Sequence, residues 1–210
     1  MKDYLINKKY IWWDFDGVIK ESLDVKTQGF NELFKPYGKE IVNKVVNHHK
    51  LNGGVSRFKK IPLYLKWANL KTNPETVDIF CHKFSKLVKK TVIESNWVPG
   101  AYEFLKLNHD YYNFFLVSAT PQKEIEGILK ELKINNFFKE IFGSPSEKED
   151  VINLLIKKYN VSLDSAILIG DSESDLIAAQ NAGIDFLLRK TFSNDHLQEK
   201  FSGPKIDNFL

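Results

Sequence analysis

The chain has 210 residues, 43% hydrophobic and 27% charged, with a formal net charge of +3. This is ordinary globular composition, which excludes a disordered chain and offers none of the clustered basic surface that nucleic-acid binding requires. One cysteine, Cys81, excludes an intrachain disulfide, no apolar run approaches the roughly 18 residues of a membrane span, and MKDYLINKKY at the start lacks a signal peptide's apolar segment. A cytoplasmic protein is expected, with no membrane or nucleic-acid partner.

The first element is Tyr10–Phe15 (YIWWDF), an apolar and aromatic run that reads as a buried strand. Residues 22–96 contain no comparable run. They read as helices separated by Pro36-Tyr37-Gly38, Asn52-Gly53-Gly54 and Thr72-Asn73-Pro74. Asn73 is placed as an N-cap with Pro74 at the first helical position. The helix that follows carries an apolar stripe of Val77, Phe80, Cys81, Phe84, Leu87 and Val88. Val98-Pro99-Gly100 marks the return of an alternating pattern. Helix Ala101–Asn108 precedes strand Asn113–Val117, and helix Gln122–Leu132 precedes the short strand Glu140–Phe142. Helix Lys148–Tyr159 then leads to strand Ala166–Ile169, and helix Asp175–Ala182, closed by Gly183, leads to strand Asp185–Leu188. Strands alternating with helices imply an α/β fold with a parallel sheet flanked by helices. The expected organisation is a core of residues 1–20 and 97–210, with a small all-helical domain inserted at 21–96.

In open parallel sheets chemistry collects at the carboxyl ends of the strands. The first strand ends in Asp14-Phe15-Asp16-Gly17-Val18, and the Ala166–Ile169 strand in Gly170-Asp171-Ser172-Glu173-Ser174-Asp175. Carboxylates gathered this closely are costly without a cation. Ser118 ends the Asn113–Val117 run, and Lys148 begins a helix, where it opposes the helix dipole. A hard divalent metal with oxygen ligands, together with a phosphate held by a hydroxyl, backbone amides and a lysine, accounts for this set.

These residues resemble, in order, the four motifs of the haloacid dehalogenase superfamily. Asp14-Phe15-Asp16-Gly17-Val18 corresponds to the first, Ser118 to the second, Lys148 to the third and Gly170-Asp171-Ser172-Glu173-Ser174-Asp175 to the fourth. The insert lies between the first and second motifs, as in the subclass with a helical cap. The resemblance implies a Rossmann-like core and a Mg²⁺-dependent phosphatase acting on a small phosphomonoester. Asp14 would be the nucleophile that forms an aspartyl phosphate, and Asp16 the general acid and base. Asp14, Asp16 (through its main-chain carbonyl), Asp171 and Asp175 would form the metal site. Ser118, Ala119 and Lys148 would hold the phosphoryl group, with Lys123 as the rival lysine. A carboxylate at position 16 favours phosphate chemistry over dehalogenation.

Within the insert, Gly53-Gly54-Val55-Ser56-Arg57 is similar to a cap string that faces the active site in sugar-phosphate mutases and in phosphatases of surface-polysaccharide pathways. Gly54 and Arg57 are accordingly candidates for substrate contact. A sugar phosphate, or a small alcohol or amino-alcohol phosphate, is the expected substrate. A phosphomutase shares every core residue, and a non-catalytic phosphate-binding protein would keep the fold. Oligomeric state is left open between monomer and homodimer. His48 and His49 lack a third ligand nearby in sequence, so zinc is not expected. Lys39, Lys44, Lys50, Lys59 and Lys60 are read as a solvated basic face, and Trp67, Trp97 and Phe58 as packing residues.

Overall fold

Parallel pairing places β1 (Tyr10–Trp13) in the middle of a six-stranded sheet in this computed structural model, which describes residues 2–210. The other strands are β2 (Asn113–Pro121), β3 (Glu140–Ser144), β4 (Ala166–Gly170), β5 (Asp185–Arg189) and β6 (Lys205–Ile206). Their order is β3-β2-β1-β4-β5-β6, and every neighbouring pair is parallel. Trp13 lies level with Leu116 of β2 and Ile169 of β4, so the carboxyl ends of these three strands open side by side.

The strand alternation divides the core into two layers. Ile11 and Trp13 join Phe114, Leu116 and Ile169 on one face, and Trp12 joins Phe115, Val117 and Leu168 on the other. Helices α1 (Lys2–Leu5), α6 (Ala101–Asn108), α7 (Gln122–Glu131), α8 (Lys148–Tyr159), α9 (Glu173–Ala182) and α10 (Asp195–Lys200) accompany the sheet. Neither Trp12 nor Trp13 has a partner for its indole N–H among the described residues. Burying a ring of roughly 200 Å² at ~25 cal/mol per Å² contributes about 5 kcal/mol, more than the ~1–3 kcal/mol cost of one unpaired donor.

Four of the helices between β1 and β2 lie in the insert, between Lys20 and Trp97: α2 (Leu23–Phe34), α3 (Lys39–Leu51), α4 (Arg57–Trp67) and α5 (Pro74–Glu94). Aromatic side chains hold them together. Phe30 meets Phe84 at 4.1 Å and Tyr64 at 5.3 Å between ring centroids, and Phe34 meets Tyr64 at 5.7 Å. The chain enters and leaves this insert at one place. The Glu21 amide donates to the Asn96 carbonyl at 2.9 Å, and Lys20 bridges antiparallel to Trp97.

The Asn73 cap forms as the sequence implies, its Oδ1 accepting from the Thr76 amide at 2.9 Å. Three details differ from the sequence reading. Ladder pairing of the first strand stops at Trp13 rather than Phe15, because the chain turns through Gly17 at φ +78°. Leu87 is 46% exposed and falls off the buried stripe of α5, which continues instead through Val88 and Val92. Lys60 does not belong to the solvated face. It is buried against His49, whereas Lys39, Lys44, Lys50 and Lys59 are exposed. No described helix is long and apolar enough to cross a membrane.

Candidate active site

Asp14 and Asp16 follow β1 directly, and both are buried. The Asp14 amide still donates to the Ile169 carbonyl at 3.0 Å, which fixes it against the end of β4. Gly17 permits the turn that follows. Its positive φ favours glycine, and a Cβ there would lie 2.5 Å from Asp171 Oδ2. The buried Arg189 braces the same turn, donating to the Gly17 carbonyl at 3.2 Å while pairing with Glu21.

Lys148, the first residue of α8, is nearly buried and points its ammonium at the carboxylates. Its Nζ lies 3.1 Å from Asp14 Oδ1 and also contacts Asp175 Oδ1. Asp175 accepts from the Ser172 amide at 3.1 Å and the Ser172 hydroxyl at 2.5 Å, closing a capping box at the start of α9. The Asp171 carbonyl accepts from Asn194 Nδ2 at 2.6 Å. Lys123, the rival, sits exposed on α7.

Single carboxylate oxygens of Asp14, Asp171 and Asp175 all lie within 4.8 Å of one another. Burial drives the Asp14 carboxyl up to about 7 against the pull of Lys148, with Asp175 and Asp16 adding to the rise. Burial, then Asp14 and Asp175, push Asp171 well above the usual carboxylate range. Burial opposes the charge on Lys148, but Asp14 and Asp175 outweigh it and hold the ammonium above its ordinary value. Three buried carboxylates with one lysine leave an excess of negative charge. An all-oxygen donor set of this kind fits a hard divalent cation.

The Asp16 side chain is turned to a different group of partners. Ser22 Oγ donates to Oδ1 at 2.6 Å, Thr120 Oγ1 donates to Oδ2 at 3.2 Å, and the Lys26 ammonium contacts the same oxygen. Burial would raise its pKa, yet Lys26 and these hydrogen bonds bring it below the ordinary value. Adjacent carboxylates therefore sit in opposite electrostatic settings. Ser118, on β2 just beyond the level of Asp14, accepts from the Thr120 amide at 3.1 Å.

A cavity separates this cluster from the insert. Asp14, Asp16, Asp171 and Ala119 line it from the core, and Lys26, His49, Gly54, Arg57 and Lys60 from the insert. Gly54 packs so tightly that a Cβ would lie 2.2 Å from Ser174 Oγ and 2.3 Å from Ser172 Oγ. Ser56 Oγ is 2.5 Å from Ser144 Oγ, and Lys59 pairs with Glu147 at 2.7 Å. Arg57 lines the cavity, but its guanidinium is engaged by both oxygens of Glu124 on α7, at 2.7 and 2.9 Å, and by Ser85 at 2.7 Å. Lys26, Thr120, Glu124, His49 and Lys60 were not singled out as site residues by the sequence. Lys26 lies ten residues beyond Asp16 on a helix with no motif of its own, and only the fold returns it to that carboxylate.

A parallel sheet with carboxylates gathered at the ends of β1 and β4, and a helical insert directly after β1, defines a haloacid dehalogenase-type hydrolase fold. Comparison with known proteins agrees. The sequence model of the family described as haloacid dehalogenase-like hydrolase matches residues 11–188. The chain is 25% identical over 183 residues to a phosphoglycolate phosphatase of Vibrio cholerae, covering 83% of this chain and 81% of that one. It is 24% identical over 181 residues to a phosphorylated carbohydrates phosphatase of Thermotoga maritima, covering 82% and 81%. Its fold matches the crystal structure of CbbY from Rhodobacter sphaeroides in complex with xylulose-(1,5)-bisphosphate. The TM-score there is 0.77 at 16% identity, over 96% of this chain and 95% of that one. The chain belongs to the haloacid dehalogenase-like hydrolase family, and within it to the phosphatases.

Proposed function

We propose that this phosphatase hydrolyses a small phosphomonoester with the help of Mg²⁺, through an aspartyl phosphate on Asp14. The observation that carries this reading is the pairing of Asp14 with the buried Lys148 at 3.1 Å, while Asp16, two residues on, is held by separate partners. These opposite settings support attack by one carboxylate and proton transfer by the other. The phosphoglycolate and sugar-phosphate activities in the names of the relatives set the range of substrates to try.

Asp14 attacks phosphorus and Asp16 protonates the departing oxygen. Asp16 then takes a proton from the water that cleaves the aspartyl phosphate. The Lys26 contact favours ionised Asp16, the form needed for that second step. Protonating the leaving group requires the contact to loosen. Ser118, the backbone at Ala119 and Lys148 hold the phosphoryl oxygens. Much of the rate then comes from positioned charge. Asp14, Asp171 and Asp175 would hold the metal with the Asp16 carbonyl. When bound, it neutralises the carboxylates and draws charge from the phosphoryl oxygens.

Residues 21–96 serve as a cap that shields the site from water. The contacts of Gly54, Ser56, Arg57 and Lys59 with the core support this role. Gly54 and Arg57 form its substrate-side wall. Phosphate release from a panel of phosphorylated metabolites, with Mg²⁺ and with excess EDTA, tests the reading. Metal-dependent release concentrated on a few compounds is expected. Folded protein that releases no phosphate from any compound would overturn it.

A further inference from the structure

The insert side of the cavity carries more positive charge than the phosphoryl site uses. Lys26 is matched by Asp16, and Arg57 by Glu124. Lys60 has no such match. It is 3% exposed and lines the cavity. Its Nζ lies 2.9 Å from His49 Nδ1 and 3.0 Å from the Asn52 carbonyl. No carboxylate oxygen among the described residues comes within 4.0 Å of it.

An ammonium has three N–H donors. His49 and Asn52 take two, and the third has no described N or O acceptor, only the face of the Phe30 ring, whose centre is 5.5 Å from Nζ. With Nδ1 accepting, His49 carries its own proton on Nε2. Its ring is 4% exposed and packs on Phe30 at 4.8 Å between centroids. The pair is thus rigidly built, and both members line the cavity. A methionine would fill similar space without the cost of burying an unbalanced charge. Burial, then Lys26 and Arg57, push the Lys60 pKa well down despite the opposing pull of Asp16, and a bound anion would add to that pull. Arg57 is less suited to the task, since a ligand would have to displace Glu124 from a two-point buried pair.

We propose that Lys60, held by His49 and Asn52, binds a second anionic group at the end of the substrate remote from the phosphoryl group. The preferred phosphomonoester then carries a carboxylate or a second phosphate. This inference rests on reading the Asp14 cluster as the phosphoryl site.

The test compares Lys60→Met and Lys60→Arg with the unaltered protein on three esters: 2-phosphoglycolate, xylulose 1,5-bisphosphate and the uncharged-tail ester p-nitrophenyl phosphate. In Lys60→Met, the ratio of kcat/KM on an anion-tailed ester to that on p-nitrophenyl phosphate should fall at least about tenfold, mainly through KM. Lys60→Arg should restore part of it. The ester whose ratio falls furthest identifies the tail as carboxylate or phosphate. Equal losses on all three esters, or none, would overturn the proposal. A binding arm separates this outcome from failure of the phosphatase reading. In an Asp14→Asn background, where no covalent step occurs, Lys60→Met should weaken 2-phosphoglycolate or the bisphosphate about tenfold and inorganic phosphate by less than about twofold. Equal weakening of all ligands, or of none, overturns the proposal even if the parent protein turns over nothing.

Discussion

Arg57 of the insert and Glu124 of the core form a buried two-point ion pair, with Ser85 donating to the same carboxylate and the guanidinium 4.5 Å from the centre of the Phe84 ring. The pair ties the insert to the core beside the cavity, as the Ser56–Ser144 and Lys59–Glu147 contacts also do. Removing one member strands the other charge. Arg57→Met should therefore destabilise the protein by about 3 kcal/mol, and Arg57→Met with Glu124→Met should recover most of that loss. Urea denaturation of the parent protein and the two variants checks this, and a double variant as unstable as the single one would contradict it.

Asp14→Asn should lower phosphate release by about 10³-fold or more. The metal-free protein should nevertheless melt higher than the parent, because one of three mutually repelling buried carboxylates has lost its charge. Turnover and a thermal melt in EDTA measure the two effects independently. Retained activity would remove Asp14 from the nucleophile role.

The metal contribution to stability should depend on pH in a set direction. Without a cation, burial holds the Asp14 carboxyl at about 7 against an ordinary 3.8, and Asp171 is raised too. The folded state then binds more protons than the unfolded chain between these values. Stability present below pH ~4 is lost as pH rises through about 7. Buried His49 and Lys60 are shifted downward and tilt the slope the other way. They are not metal ligands, so they cancel in the difference between Mg²⁺ and EDTA. That difference in Tm should grow from pH 5 to pH 8 as Asp14 and Asp171 shed protons to the solvent and the cation takes their place. A difference that is flat with pH would count against these carboxylates as ligands.

Gly54→Ala places a methyl group where Ser172 and Ser174 already stand, at 2.3 and 2.2 Å from their hydroxyls. The loop of the insert must lift. A displacement of about 1 Å near a reacting group can cost up to ~10²-fold, so a loss of about tenfold in kcat/KM is expected. Steady-state kinetics together with an unfolding curve distinguish this from general destabilisation.

Much of this architecture was written locally. Asp14 and Asp16 announce a strand end because they interrupt an aromatic run beside a glycine. Lys148 stands out because a lysine at a helix start runs against the dipole. Asn73 before Pro74 marks a helix start that the structure reproduces. What escaped was whatever depends on two distant segments meeting. Lys60 reads as one of several surface lysines until α3 and α4 enclose it with His49. Arg57 reads as a free guanidinium until α7 brings Glu124 against it. The two-residue β6 has no periodicity to detect, and Leu87 fits a helical stripe whose outer edge has nothing to cover it.

The adjacency of Lys20 and Trp97 means that removing the four helices between them would leave the register of β1 and β2 untouched. On the proposed reading of the insert as the substrate-side cap, recognition and bond cleavage can therefore change separately, as a replaceable cassette set in a fixed frame. Lys26 limits that freedom. It belongs to the cassette yet touches Asp16, so any substitute cassette has to bring its own answer to that carboxylate.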